Sequence, residues 1–64
     1  MKNNVEKYRK EKGMSQQDLA DASDVSRNTI SNLERGRAIN VGYKIMKNIA
    51  KALGKEVPEI FFEE

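Results

Sequence analysis

The 64 residues contain no cysteine, no histidine and no tryptophan, and proline occurs once. The lack of Cys and His excludes zinc fingers, disulfide scaffolds, thiol nucleophiles and imidazole acid–base chemistry. A chain this short buries only about 60% of its unfolded surface, so its core is thin. Four aromatic residues, two Tyr and two Phe, are available to fill that core. Uninterrupted apolar stretches extend only a few residues, as at Ile60 to Phe62, and none can span a membrane. Charges interrupt Met1 to Gly13 throughout, so this stretch does not read as a signal peptide. The expected location is the cytoplasm, with nucleoid association if the source is bacterial or phage. Neither a cofactor, a metal nor a small-molecule site is expected.

The charge that is present is unevenly placed. The net value is +2, but residues 1–24 balance five Lys/Arg against five Asp/Glu. Residues 25–55 carry seven Lys/Arg and a single acid, Glu34, whereas residues 56–64 carry four Glu and no base. A basic middle followed by an acidic tail points to an anionic partner, nucleic acid first and a membrane surface second. On charge alone, a solvated helix face accounts for the same pattern.

Glycines punctuate the chain. Gly13, Gly36 and Gly54 each follow a charged, periodic segment, where a left-handed residue ends a helix, while Gly42 falls near a helix start. The first helix is expected from Asn3 or Asn4 to Lys12, with an Asn cap, Glu6 in its first turn and Val5 and Tyr8 on its apolar face. Ser15-Gln16-Gln17-Asp18 has the form of a capping box, and Met14 with Leu19 forms a hydrophobic staple. The arrangement recurs with Val25, Ser26 and Ile30, so Ala22-Ser23-Asp24 must contain the turn. Two short helices joined in this way satisfy a helix-turn-helix. Ile45, Met46, Ile49, Ala50 and Leu53 form the buried stripe of a fourth helix over Tyr43–Leu53, with Lys44, Lys47 and Lys51 off the stripe. Val57 to Phe62 suits a short fifth helix with Pro58 in its first turn. Apolar alternation never persists, so no strand is expected and the fold class is all-α, a single domain over 1–64.

The third helix, expected over Arg27 to Arg35, carries the functional signal. Ile30 and Leu33 lie within about 60° of each other and form its buried side. The opposite side presents Asn28, Ser31, Asn32 and Arg35, with Arg27 at the N-terminal tip and no acid among them. Asn bonds bidentately to adenine N6/N7, and Arg to guanine O6/N7, across the major groove. A polar helix face is common on protein surfaces, so this face alone leaves base readout open.

The wider pattern narrows it. Gln16-x-x-Leu19-Ala20, then Val25-Ser26, then Ile30-Ser31-x-x-Glu34-x-Gly36 resembles the helix-turn-helix of the Cro/CI-type (XRE) family. Arg9-x-Glu11-Lys12-Gly13-Met14-Ser15-Gln16 resembles that family's first helix and its exit. Ile49-Ala50-Lys51-Ala52-Leu53-Gly54 and Glu59-Ile60-Phe61 resemble its fourth helix and closing turn. The resemblance covers nearly the whole chain. It implies a bundle of five short helices with the helix-turn-helix unit at about 16–35, and a double-stranded DNA operator as partner. Base-reading positions then fall on Arg27, Asn28 and Asn32, with Ser31 beside them. Gln16, Gln17, Ser26, Arg35, Arg37 and Lys44 would contact phosphates, and Arg9 and Glu34 would form a structural ion pair. The implied function is transcriptional regulation, with repression the expected sense. Three departures stand out. Asp24 replaces a turn Gly, Val41-Gly42 replaces Pro-Ser before helix four, leaving its start poorly capped and its loop mobile, and Glu56 replaces a Ser or Thr cap.

Enzymatic activity is not expected, because no His activates the four serines or two tyrosines and no Gly-rich loop cradles phosphate. Membrane binding lacks a bulky apolar face left over after core packing. The alternative is a protein-interaction module of the same fold, an antitoxin or coactivator, with a regulatory protein partner. A single recognition helix reads only about four or five base pairs, which makes a homodimer on a roughly palindromic site the expected assembly. Ile60 and Phe61 can close the bundle, and Phe62 would then be left over beside Val57 and Tyr43. Val57, Ile60 and Phe62 are the expected dimer residues, with Glu63-Glu64 beside that patch. Otherwise Phe62 folds back onto helix one.

Overall fold

A computed structural model describes residues 2–37 and 41–62. Among these described residues are five helices: α1 Val5–Glu11, α2 Gln16–Ser23, α3 Arg27–Glu34, α4 Tyr43–Leu53 and α5 Val57–Ile60. Local chemistry sets their ends. Ser15 Oγ accepts from Asp18 N at 2.9 Å and the Asp18 carboxylate accepts from Ser15 N at 2.9 Å, which completes the capping box. Ser26 Oγ accepts from Thr29 N at 3.1 Å and donates to Thr29 Oγ1 at 2.8 Å, so α3 starts at a defined residue. Gly54 ends α4 at φ 69°, as a residue without Cβ can. Gly42, before α4, offers no side-chain cap. The expected loop before it falls largely on residues 38–40, outside the described residues.

Asp24 closes α2 at φ 57° and ψ 36°, in the left-handed region. It makes the turn in place of glycine, at a cost of order 1 kcal/mol. Asp24→Gly should therefore raise the melting temperature by about 4 °C, since about 1 kcal/mol moves a domain of this size by several degrees. Thermal unfolding followed by circular dichroism checks this; a lower melting temperature would show that the Asp24 side chain supports the turn.

Each helix turns its apolar side to one interior. Val5, Leu19, Ile30, Ile49 and Ile60, one from each helix, are completely buried, and Leu33, Leu53, Ala50, Ala20, Val25 and Phe61 complete the core. Helix α2 packs on α3 and α4, α1 on α3 and α4, and α5 on α4. On α4 the expected stripe is in place, with Ile49, Ala50 and Leu53 buried and Ile45 and Met46 packed at its margin.

Two expectations at the chain ends are corrected. A short antiparallel ladder pairs β1, Lys2–Asn3, with β2, Phe61–Phe62, in the register Lys2↔Phe62 and Asn3↔Phe61. Two residues per strand are too few for alternation to show, so no sequence pattern announced them. The cap of α1 also differs: Asn4 occupies the N-cap position without a side-chain cap bond. Instead Asn3 Oδ1 accepts from Val5 N at 3.1 Å, and Asn4 Nδ2 donates to the Glu59 carbonyl at 3.2 Å. The mostly helical architecture is otherwise as expected.

Candidate nucleic-acid interface

Because Ile30 and Leu33 are drawn into the core, helical geometry turns the other side of α3 outward. Arg27, Asn28 and Arg35 are exposed, and Ser31 and Asn32 are half-buried. These five residues and Arg37 line one shallow concavity. The backbone after α3 closes tightly, with Gly36 N donating to the Leu33 carbonyl at 3.0 Å and Arg37 N to the Asn32 carbonyl at 3.1 Å. That turn brings Arg37 back beside Asn28 and Asn32, four expected base-face residues and two expected phosphate residues on one surface.

The single acid of the basic segment is turned away from this surface. Glu34 Oε2 accepts from Arg9 Nε at 2.7 Å, and Glu34 Oε1 from Arg9 Nη2 at 3.0 Å and from Gln16 Nε2 at 3.0 Å. Arg9 Nη1 also donates to the Met14 carbonyl at 2.7 Å, at the exit from α1. The Arg9 and Glu34 side chains are only 10% and 4% exposed. Arg9 occupies the buried face of α1 one turn after Val5, so the pair links α1, α2 and α3 from inside. Burial pushes the Glu34 carboxyl pKa up, but donation by Arg9 and Gln16 with the positive charges of Arg9 and Lys10 outweighs it, and the carboxyl titrates below its ordinary range. The guanidinium of Arg9 is held protonated more firmly, first by its hydrogen bonds to Glu34.

Gln16 thus has a position that the sequence did not reveal. Its amide is committed to Glu34 from the first turn of α2. Gln17 is exposed and donates to Asp21 Oδ1 at 3.0 Å, one turn along the same helix. Ser26 is exposed at the start of α3, where Gln17 and Arg27 share a second concavity with Asp21 and Asp24. Lys44 is exposed in the first turn of α4 and lies outside the α3 concavity. Of the expected dimer residues, Ile60 is wholly buried and presents no surface, Val57 is half-buried against the core, and Phe62 is 39% exposed. Phe62 lines a concavity with Lys2, Asn3 and the end of α3 from Leu33 to Gly36, and its main chain pairs with β1. Glu63 and Glu64 lie outside the described residues. Sequence reasoning also missed Asn3, whose Nδ2 donates to the Leu33 carbonyl at 2.9 Å across thirty positions.

The Helix-turn-helix family model matches residues 5–60, which includes every helix of the bundle. The chain belongs to the helix-turn-helix family. It is 39% identical over 62 residues to an uncharacterized HTH-type transcriptional regulator of Methanothermobacter thermautotrophicus, covering 97% of this chain and 88% of that protein. A second uncharacterized HTH-type transcriptional regulator, of Methanocaldococcus jannaschii, is 38% identical over 64 residues, covering 100% and 96%. The competence pilus inhibition repressor of Acinetobacter baylyi is 47% identical over 55 residues, covering 83% of this chain and 47% of the repressor. Among solved structures, the SinR protein/SinI protein complex matches with a TM-score of 0.80 and 29% identity, over 86% of this chain and 53% of that one. The chain therefore spans about half the length of the Acinetobacter and SinR proteins it matches. Its helix-turn-helix is of the Cro/CI (XRE) type, and the two archaeal relatives it matches over nearly their whole length are named as transcriptional regulators. Among the described residues no helix is long and apolar enough to cross a membrane.

Proposed function

We propose that this regulator represses transcription in the cytoplasm by inserting α3 into the major groove of a roughly palindromic operator, as a homodimer. The supporting observation is the removal of Glu34 from the α3 surface. Arg9 and Gln16 tie that carboxylate inside, leaving Arg27, Asn28, Ser31, Asn32, Arg35 and Arg37 as an acid-free concavity. Amides and guanidiniums at the centre suit base edges, and cations at the border suit phosphates. In this reading Arg27, Asn28, Ser31 and Asn32 face bases, while Gln17, Ser26, Arg35, Arg37 and Lys44 face the backbone. Gln16 contributes through the backbone N–H at the start of α2, because its side chain holds Glu34. The sense of regulation rests on the Acinetobacter relative, which is named a repressor.

Dimension supports the dimer. The described residues extend 27 Å at most, and half-site centres one helical turn apart lie about 34 Å from each other. One copy cannot place a reading helix in both. Phe62 and Tyr43, 39% and 66% exposed, are apolar surface not used by the bundle. A second reading, a regulatory protein partner at those side chains, is favoured by their exposure and by the match to a complex of two proteins.

Replacing Arg37 with Ala tests the phosphate border. Binding to specific and random duplex should weaken alike, and the slope of log affinity against log salt should fall by about one. An unchanged slope with altered sequence preference would make Arg37 a base reader. For assembly, sedimentation should show two copies on a palindromic duplex, with Phe62→Ala binding less cooperatively. Wild type that stays monomeric and binds one half-site as tightly as two would rule out the dimer.

A further inference from the structure

A side chain of the N-terminal strand, Asn3, is hydrogen-bonded to the reading helix. Asn3 Nδ2 donates to the Leu33 carbonyl at 2.9 Å, in the last turn of α3, and Asn3 Oδ1 accepts from Val5 N at 3.1 Å, in the first turn of α1. One carboxamide thus gives the Leu33 carbonyl a second donor beside Gly36 N at one helix end and accepts from a donor left over at the start of another. The strand that carries Asn3 is fixed in turn by pairing of Asn3 with Phe61 and by Asn4 N donating to the Ile60 carbonyl at 2.8 Å. Leu33 is the residue between Asn32 and Glu34, and its carbonyl also accepts from Gly36 N, the bond that turns the chain toward Arg37. Arg9 holds α3 through the Glu34 side chain; Asn3 holds it through the main chain next to a base-facing residue.

We propose that Asn3 is a positioning residue for DNA reading, fixing the C-terminal turn of α3 so that Asn32 and Arg37 are presented in one orientation. The proposal rests on α3 being the reading helix. A residue that only stabilised the fold would lower affinity for all DNA through the folded population. A residue that orients Asn32 alters discrimination while the fold persists.

Asn3→Asp separates the two roles. The carboxylate still accepts from Val5 N, and its negative charge is favourable at the start of α1. It has no N–H for Leu33 and places acceptor against acceptor. Asn3→Ala, lacking both bonds, serves as the second variant. The measurements are amide hydrogen exchange of the free protein and affinity for a selected duplex and a random one. For Asn3→Asp the expected result is unchanged melting, exchange at Gly36 and Arg37 accelerated about tenfold with Leu19 and Ile49 unaltered, and about a tenfold drop in the ratio of specific to random affinity. Asn3→Ala should show the same local acceleration with a lowered melting temperature. Unchanged exchange at Gly36 and Arg37, or accelerated exchange with full discrimination retained, overturns the proposal. A failure of α3 as the reading helix is seen separately, as wild type without discrimination, and exchange then decides whether the Asn3 clamp exists.

Discussion

Arg9→Met should destabilise the protein by about 3 kcal/mol at neutral pH, the lower end of the cost of breaking a buried ion pair by removing one partner. For a domain of this size, that lowers the melting temperature by about 12 °C or more. The size follows from what is left behind: Glu34, with its side chain 4% exposed, would keep Gln16 but lose both guanidinium bonds. The pH dependence gives a sharper test. In the wild type the Glu34 pKa is depressed, so its contribution is complete above the unfolded value and is lost as pH falls through the folded one. In Arg9→Met the burial that pushes this carboxyl up is opposed only by Gln16 and Lys10, so its folded pKa rises above the wild-type one. Acid should then cost the variant less than it costs the wild type. From neutral pH toward about 5 the variant gains stability relative to wild type, because Glu34 becomes neutral more readily when folded. Denaturant titrations of both proteins across that range check the sign. A constant difference between them would show that Glu34 is solvated in the variant and that the pair contributes little. Arg9→Met with Glu34→Leu should recover most of the loss, since two apolar side chains leave no buried charge.

Asn32→Ala is expected to abolish discrimination at one or two base pairs, worth about 1–3 kcal/mol, or roughly fivefold to 150-fold in relative affinity. Affinity for random duplex should change little, because on the proposed reading the cations around the concavity, which would supply the sequence-independent part of binding, are intact. Asn32 is suited to the role by its placement: half-buried, on the turn of α3 after Asn28, with its main chain engaged by Arg37 N. A side chain held at a restricted angle discriminates better than a free one, because less conformational entropy is lost when it binds. Competition titration against duplexes substituted one base pair at a time measures the effect. Equal weakening on every duplex would assign Asn32 to general attachment.

Much of this arrangement is legible in the sequence, since short helices are specified locally. Ser15 with Asp18, Ser26 with Thr29, and the left-handed residues Asp24 and Gly54 fix the ends of α2, α3 and α4 within a few residues of chain. Buried faces follow from the 3.6-residue period, and once Ile30 and Leu33 are inside, Asn28 and Asn32 face out. The Arg9–Glu34 pair spans 25 positions and was available only through resemblance to a family. What lay beyond pattern was every contact made by a polar side chain with a distant main chain or a third partner. Asn3 looked like a cap for its own helix, and its second bond crosses thirty positions to Leu33. Gln16 stood where a phosphate contact was expected, and nothing local showed that its amide would face Glu34. The sequence pattern leaves Phe62 surplus to the core, and its 39% exposure agrees with that. Its partner, Lys2, came from a strand too short to leave a period.

The central claim, that DNA lies against α3 and the start of α2, is tested most directly by mapping amide chemical shifts of isotope-labelled protein as duplex is added. The largest changes should fall on Gln16, Gln17, Ser26 to Asn32, Arg35 and Arg37, with smaller ones at Lys44 and none along the Ile49 to Leu53 stripe. Changes concentrated at Tyr43 and Phe62, with Asn28 and Asn32 unmoved, would contradict the account and place the binding surface elsewhere.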